Sequence, residues 1–378
     1  MKLKICDRLG IEFPLFAFSH CRDVVAEVSN AGGMGVLGMV AFTPETLQQE
    51  LDWIDSKVGG RPYGVDLLVP ASIDSKERSL TAAELDARIP AGHREFVEKL
   101  LQKHGIDTRD LWDGSIVDGH GDVMRESGAS RLLEVAFSHP VRLVVNALGV
   151  PPPFMISMAR QAGALVGALA GTRDHAVGHA QAGADIVIAA GTEAGGHCGE
   201  ITTMVLVPDV IRSLAPYPDV HVLAAGGIVT GRQMAACMAM GAAGAWTGSV
   251  WLTTPEAETI PVVKEKMLRA TSRNTVRSRS RTGKPTRQLQ SAWTDAWLAP
   301  DAPAPLPTPL QGLLSAAAFR KINKLASGGH PGAIELASYY VGQGVGLMNQ
   351  GGSVRSVVQD FMNDYAEACS RLGATLDD

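Results

Sequence analysis

Long apolar runs are missing from this chain. No hydrophobic stretch is long enough to cross a bilayer, so no membrane-spanning segment is expected. Paired cysteines are missing too. Cys6, Cys21, Cys198, Cys237 and Cys369 form no CxxC pair and no zinc-ligand spacing, which argues against a disulfide scaffold and for free thiols in a reducing cytoplasm. Paired histidines and acidic clusters at ligand spacing are absent, so no metal is expected. A basic excess is lacking: the net charge is −5, which points away from nucleic acid and anionic membranes. Aromatic residues are only 5% of the chain and do not interleave with the Arg-rich stretch 269–287, as a single-strand binder would require. The opening residues MKLKICDRLGIEFPLF have no sustained apolar core and no small-residue cleavage site, so no secretory signal is expected. No internal repeat and no Rossmann glycine fingerprint appear.

What is present is alternation. Eight short apolar runs fall at 13–18, 35–40, 63–69, 142–148, 165–171, 185–191, 221–227 and 244–252. Runs such as DIVIAAG, rich in β-branched residues, read as strands buried on both faces of a parallel sheet. Helical patterns separate most of them. Asp23 is the expected N-cap of the first, with Gly32 or Gly33 as its stop. Thr43 precedes Pro44 at the start of another. Thr230 and Gln233 form a capping box for a third, which ends at Gly241. Eight such units predict an α/β fold of the (β/α)8 TIM-barrel type, with a doubly wound open sheet as the alternative.

Two segments break the rhythm. Residues 71–138 are charged and helix-like and too long for a βα connection; they read as a helical insertion after the third strand, with a lid or a plain crossover helix as its role. Residues 256–330 hold an Arg/Ser/Thr-rich run and then LAPDAPAPLPTPLQG. The first reads as a solvated or subunit-facing loop, the second as a stiff extended connection. The expected organisation is a barrel of 1–255 and 331–378, ending in an extended C-terminal segment with a helix, and an excursion or small subdomain at 256–330. A homodimer is among the open assemblies.

Function candidates gather at the ends of the last three strands. The loop after the sixth reads GTEAGGHCG and carries His197. Loops at this end of a barrel form its catalytic face. Gly195 and Gly196 remove side-chain bulk beside that histidine, whose usual pKa of about 6.5 suits acid–base work. After the seventh and eighth strands stand Gly226 and Gly227, then Gly248 and Ser249. Loops at these two positions often hold a phosphate on backbone N–H groups, with the Ser249 hydroxyl as a further donor. A flavin mononucleotide or a sugar phosphate would both suit. Glu193, four residues before His197, either orients the imidazole or caps a helix. His20 ends the first strand and is a second candidate for the pocket, while His179 falls in a helical pattern and reads as packing or surface. His330 either caps the C-terminal segment or reaches the site. Cys198 is adjacent to His197 in sequence, so the two side chains diverge.

The blocks SNAGGMGVLG (29–38), GTEAGGHCG (191–199), LAAGGIVTGRQMAACMAMGAAGAWTGSVWL (223–252) and YYVGQGVGL (339–347) resemble the FMN-dependent nitronate monooxygenases. They are also similar to the flavin-dependent enoyl-acyl-carrier-protein reductases. The resemblance implies a flavin-binding barrel with His197 as the active-site base or substrate orienter. It implies FMN contacts at Ala17, Phe18, Asp66, Gly195, Gly196, Gly226, Gly227, Gly248, Ser249 and Gln343. The sequence departs from the family where Asp66 stands in place of the usual Asn, where Ala190 replaces Gln or Glu, and where the first strand ends FAFSHC. These departures point to an unusual substrate. The activity so implied is oxidation of alkyl nitronates, or a related carbanion-like substrate, with dioxygen. The alternatives are an NAD(P)H-dependent flavin reductase acting on an enoyl or other CoA or carrier-protein thioester, a flavin-free barrel lyase or isomerase acting on a phosphorylated metabolite, and a flavin carrier without catalysis.

Overall fold

A computed structural model describes residues 3–40, 42–69, 82–113 and 126–375. The eight apolar runs all become strands. In chain order they are β1 (Leu15–Ser19), β2 (Met34–Gly38), β3 (Gly64–Leu67), β4 (Leu143–Asn146), β5 (Leu165–Ala170) and β6 (Ile186–Ala190). The two-residue β7 (Gly196–His197) follows outside the barrel, then β8 (His221–Ala225) and β9 (Gly244–Thr247). All barrel pairings are parallel, and β9 closes on β1 through Leu15↔Ala245 and Phe16↔Trp246. The closed count of eight decides against the open sheet.

Strand alternation splits the side chains into two layers. Phe16, Val36, Val145, Ile188 and Leu223 fill the lumen, while Val65, Leu67, Val144 and Val166 pack outward under the helices. The lumen is therefore a packed core, and any ligand must sit above it, at the carboxyl ends of the strands.

Helix boundaries follow local chemistry. Thr43 caps Pro44–Val58 with Pro44 in the first turn, and Thr230 with Gln233 forms the capping box of Gly231–Ala239. The first expectation was off by two residues: the helix Arg22–Asn30 starts after Cys21, and Asp23 lies inside its first turn without capping it. Its charge still favours the positive end of the helix there.

The expected insertion supplies the helices Ala82–Asp86, Ala91–Lys103 and Glu126–Phe137; its residues 71–81 and 114–125 lie outside the described residues. Its described part meets the later excursion. The Phe96 and Trp297 rings stand 4.9 Å apart, edge to face, and His93 Nε2 lies 3.0 Å from the Ala304 carbonyl. Lys321 pairs with Asp110 across the same contact.

The Arg-rich run is not a solvated loop. Residues β10 (Thr275–Ser278) and β11 (Thr286–Leu289) form an antiparallel hairpin, and β11 pairs in turn with β7. Arg287 is 8% exposed and donates from Nε to the Thr192 carbonyl at 2.9 Å. Composition reads charge as solvation; pairing to an edge strand buries Arg287, while Arg273 and Arg279 stay exposed. The Pro-rich stretch does run without regular structure between the helices Ala292–Leu298 and Leu310–Ser327. Among the described residues no helix is long and apolar enough to cross a membrane.

Candidate active site

The loops after β6, β8 and β9 are wired to one another at the barrel mouth. The Glu193 carboxylate accepts from the Thr203 N–H at 2.9 Å, at the start of the helix Thr203–Ser213. The Thr203 hydroxyl lies 2.9 Å from that carboxylate and 3.0 Å from the Gly226 carbonyl. Glu193 is thus the helix cap of the two roles open to it, and it is not the partner of His197. Gly226 has φ 108°, and a Cβ there would come within 2.7 Å of the Thr203 hydroxyl. Only glycine fits that junction.

The segment near the C-terminus joins the same wiring. The Gly342 N–H donates to Ser249 Oγ at 2.9 Å, and the Gln343 N–H to the Glu193 carbonyl at 2.9 Å. A Cβ on Gly195 would lie 2.8 Å from the Gly342 nitrogen. Gly195 is therefore small because another backbone crosses it, whatever ligand lies nearby. Gly196 differs: its φ is 75° and nothing stands within 4 Å of its missing Cβ.

Four N–H groups at this mouth are unspent. Among the described residues, those of Gly226, Gly227, Gly248 and Ser249 donate to no other group. They are half-buried, and half-buried amides without acceptors are uncommon. They follow two neighbouring strands and precede the short 3₁₀ turn Ser249–Trp251. The arrangement is a cradle for an oxyanion. Ser249 Oγ accepts from Gly342, so its own proton stays available.

The floor beside the cradle is aromatic. Phe18 stacks on Trp246 at 6.2 Å and meets His20 edge-on at 5.1 Å. His20 lies over Gly38, with Nδ1 at 3.2 Å from the Gly38 carbonyl. Desolvation pushes its pKa down, so the ring is neutral at pH 7. His20 thus belongs to the mouth. Asp66 is paired in register with Gly38 and shares its lumen face. It is 4% exposed, and burial pushes its carboxyl well above the usual range, which favours the neutral acid. Ala17 does not reach this surface: it is fully buried and packs outward with Val24 and Val28. Alternation alone requires that, since its neighbour Phe18 points in. Ala190 faces the lumen with little exposure.

His197 stands in β7, not on an irregular loop, paired with Thr286. Its Nε2 lies 3.0 Å from Thr282 Oγ1, from the turn between β10 and β11. Thr282 donates its own proton to the Lys284 carbonyl at 3.2 Å. With the proton on Nε2 the ring donates to Thr282, which in turn donates to the Lys284 carbonyl, and Nδ1 keeps the lone pair. The imidazole is solvent-accessible. Desolvation and, second, the Lys284 charge push its pKa down. The Cys198 thiol is pushed up by burial, against the pull of Arg287 and Arg277, and is no thiolate nucleophile. His179 is core: Nε2 meets the Leu169 carbonyl at 2.9 Å. His330 is a helix cap, accepting the Ala333 N–H on Nδ1.

Thr203 and Thr282 carried no signal in the sequence. Trp246 sat inside a quoted block without a role.

The model of the nitronate monooxygenase family matches residues 8–364. The chain belongs to that family. It is 52% identical over 376 residues to Rv1533 of Mycobacterium tuberculosis, covering 98% of each chain. Among solved structures it is similar to the nitroalkane oxidase of Streptomyces ansochromogenes, with 26% identity, a TM-score of 0.78 and coverage of 97% of this chain and 99% of that one. It is also similar to FabK of Thermotoga maritima, with 25% identity, a TM-score of 0.70 and coverage of 99% of both chains. Membership of the nitronate monooxygenase family makes an oxidoreductase the class of enzyme expected at the mouth described above.

Proposed function

We propose that the protein is an FMN-dependent oxidoreductase that oxidises alkyl nitronates, or a related carbanion-like substrate, with dioxygen. The observation that carries this reading is the set of unspent N–H groups on Gly226, Gly227, Gly248 and Ser249, beside an aromatic floor and the His197 sheet. An oxyanion cradle next to a flat apolar surface fits a ring cofactor with one phosphate. The cradle would hold the phosphate, Phe18 and Trp246 would line the ring, and Asp66 would present a neutral carboxyl from the lumen. When bound, FMN would supply the electron acceptor and the route to dioxygen.

The chain's own part is positioning and proton traffic. Thr282 fixes the His197 ring and keeps its proton on Nε2. Nδ1 can then take the α-proton of a neutral nitroalkane, and a lowered pKa keeps that lone pair free at neutral pH. For a substrate already ionised, the same ring orients it, and Lys284 adds positive charge nearby.

A second reading is reduction of an enoyl thioester at the expense of NAD(P)H, supported by the likeness to FabK. Anaerobic mixing separates the two. Propyl-2-nitronate should bleach the flavin absorbance of the purified protein, and NADPH should not. Bleaching by NADPH alone would favour the second reading. A colourless protein that takes up no added FMN would remove both.

A further inference from the structure

Asp66 is an acid set in an apolar layer. It is 4% exposed. Its register neighbours are Gly38 in β2 and Val145 in β4, and the lumen around them is lined by Phe18, Leu169 and Ala190. Among the described residues no hydrogen bond or ion pair reaches its carboxyl, and burial is the cause of its raised pKa. The titratable group facing it is His20, whose ring lies over Gly38 with Nδ1 turned to the Gly38 carbonyl. That ring is itself desolvated and neutral, so it brings no countercharge. Gly38 and Val145 bring none from β2 and β4.

Such a residue does nothing for the core. A carboxylate there would be a buried, unpaired charge, so the group keeps its proton. A neutral carboxyl is then a hydrogen-bond donor, and a buried donor needs an acceptor. The lumen below is packed with apolar side chains, so the acceptor must come from the mouth. A carboxylic acid held neutral by an apolar site, so that it can donate at neutral pH, is a recurrent device in active sites.

The barrel order says which acceptor. β3 lies four strands from β8 in either direction round the closed ring, through β4, β5 and β6 on one side and β2, β1 and β9 on the other. Asp66 therefore stands across the mouth from the cradle of Gly226 and Gly227. A ring system tied by its phosphate to that cradle turns its opposite edge to β3. In a flavin that edge, away from the phosphate-bearing tail, carries a ring nitrogen and a carbonyl oxygen, both hydrogen-bond acceptors. We propose that the Asp66 carboxyl, as a neutral acid, donates a hydrogen bond to that edge, so that the protein holds FMN tightly only while Asp66 keeps its proton. The inference rests on the FMN reading of the mouth. It deepens that reading by naming what regulates the hold on the cofactor.

The test has two arms. In the first, FMN is titrated by fluorescence into the full-length protein freed of cofactor, at pH 6 and at pH 9. The FMN phosphate and His197 titrate alike in every variant, so the ratio of wild type to Asp66→Asn isolates the carboxyl. Asn donates at both pH values. The wild-type Kd should match that of Asp66→Asn at pH 6 and exceed it about tenfold at pH 9. Asp66→Leu, which has no donor, should bind about fivefold more weakly than Asp66→Asn at both. His20→Gln should keep the wild-type dependence. In the second arm, infrared spectra of the FMN-loaded protein at pH 7 should show a protonated-carboxyl band that is missing in Asp66→Asn and that moves when FMN is removed. This arm needs no Leu variant and serves if that variant does not fold. The proposal is overturned if wild type and Asp66→Asn share one pH dependence, or if no Asp66-dependent band moves with FMN. Either result on a protein that binds FMN removes the role of Asp66 alone, whereas a protein that takes up no FMN in any variant removes the cofactor reading with it.

Discussion

The His197 imidazole and the Thr282 hydroxyl meet at 3.0 Å, although 85 positions separate them in the chain. The contact makes the residues at the start of the later excursion part of the active-site scaffold, because β11 also pairs with β7 beside it. The geometry of the histidine is thus set by a segment that a barrel alone does not require.

Removing the histidine tests its role directly. His197→Asn should cost at least about tenfold in turnover of a nitroalkane while FMN binding is retained, as expected for lost acid–base assistance. Thr282→Val should have a smaller effect, about fivefold, corresponding to one hydrogen bond of about 1 kcal/mol. Steady-state kinetics and flavin content measured on the same samples check both.

The pH dependence follows from the lowered pKa of His197. The free base persists below the ordinary histidine range, so the acidic limb of kcat for a neutral nitroalkane should have its midpoint below about 6.5. His197→Asn should abolish that limb. A midpoint at or above the ordinary value would contradict the lowered pKa.

Asp66 gives the opposite linkage. Its carboxyl holds a proton in the folded state more tightly than in the unfolded chain. Folding stability is therefore lost as pH rises from the usual carboxylate range toward the raised value. Asp66→Asn removes the titrating group at nearly the same size. Its Tm should exceed that of wild type at pH 8, and the difference should shrink toward pH 4.

Glu193 and Ser249 test the wiring of the mouth. Glu193→Ala should destabilise the protein by about 1–2 kcal/mol in urea unfolding, the usual range for a lost helix cap. Ser249→Ala frees the Gly342 N–H and should raise the FMN Kd about fivefold, the equivalent of about 1 kcal/mol. Equilibrium fluorescence titration measures the second.

The barrel was legible because a buried parallel strand must be a short apolar run and a crossover helix must carry caps. Both are local requirements, and Thr43, Pro44, Thr230 and Gln233 met them where expected. Gly226, Gly227, Gly248 and Ser249 could be placed together because barrel topology fixes which loops are neighbours. Asp23 misled by two residues because a helix start depends on backbone geometry that Cys21, not Asp23, adopts. The arginine at 287 misled more. Charge says nothing of burial once an edge strand is at hand to cover it.

The sequence by itself determined the alternation, the eight strands, the histidine-bearing block and the glycine loops, since each depends on residues close together in the chain. Tertiary structure alone decided that His197 lies in a strand held by Thr282, that Gly195 makes room for Gly342, that Ala17 turns away from the mouth, and that Arg287 is buried against β7. Each of these depends on segments distant in the chain meeting in space, and local spacing cannot encode such an encounter.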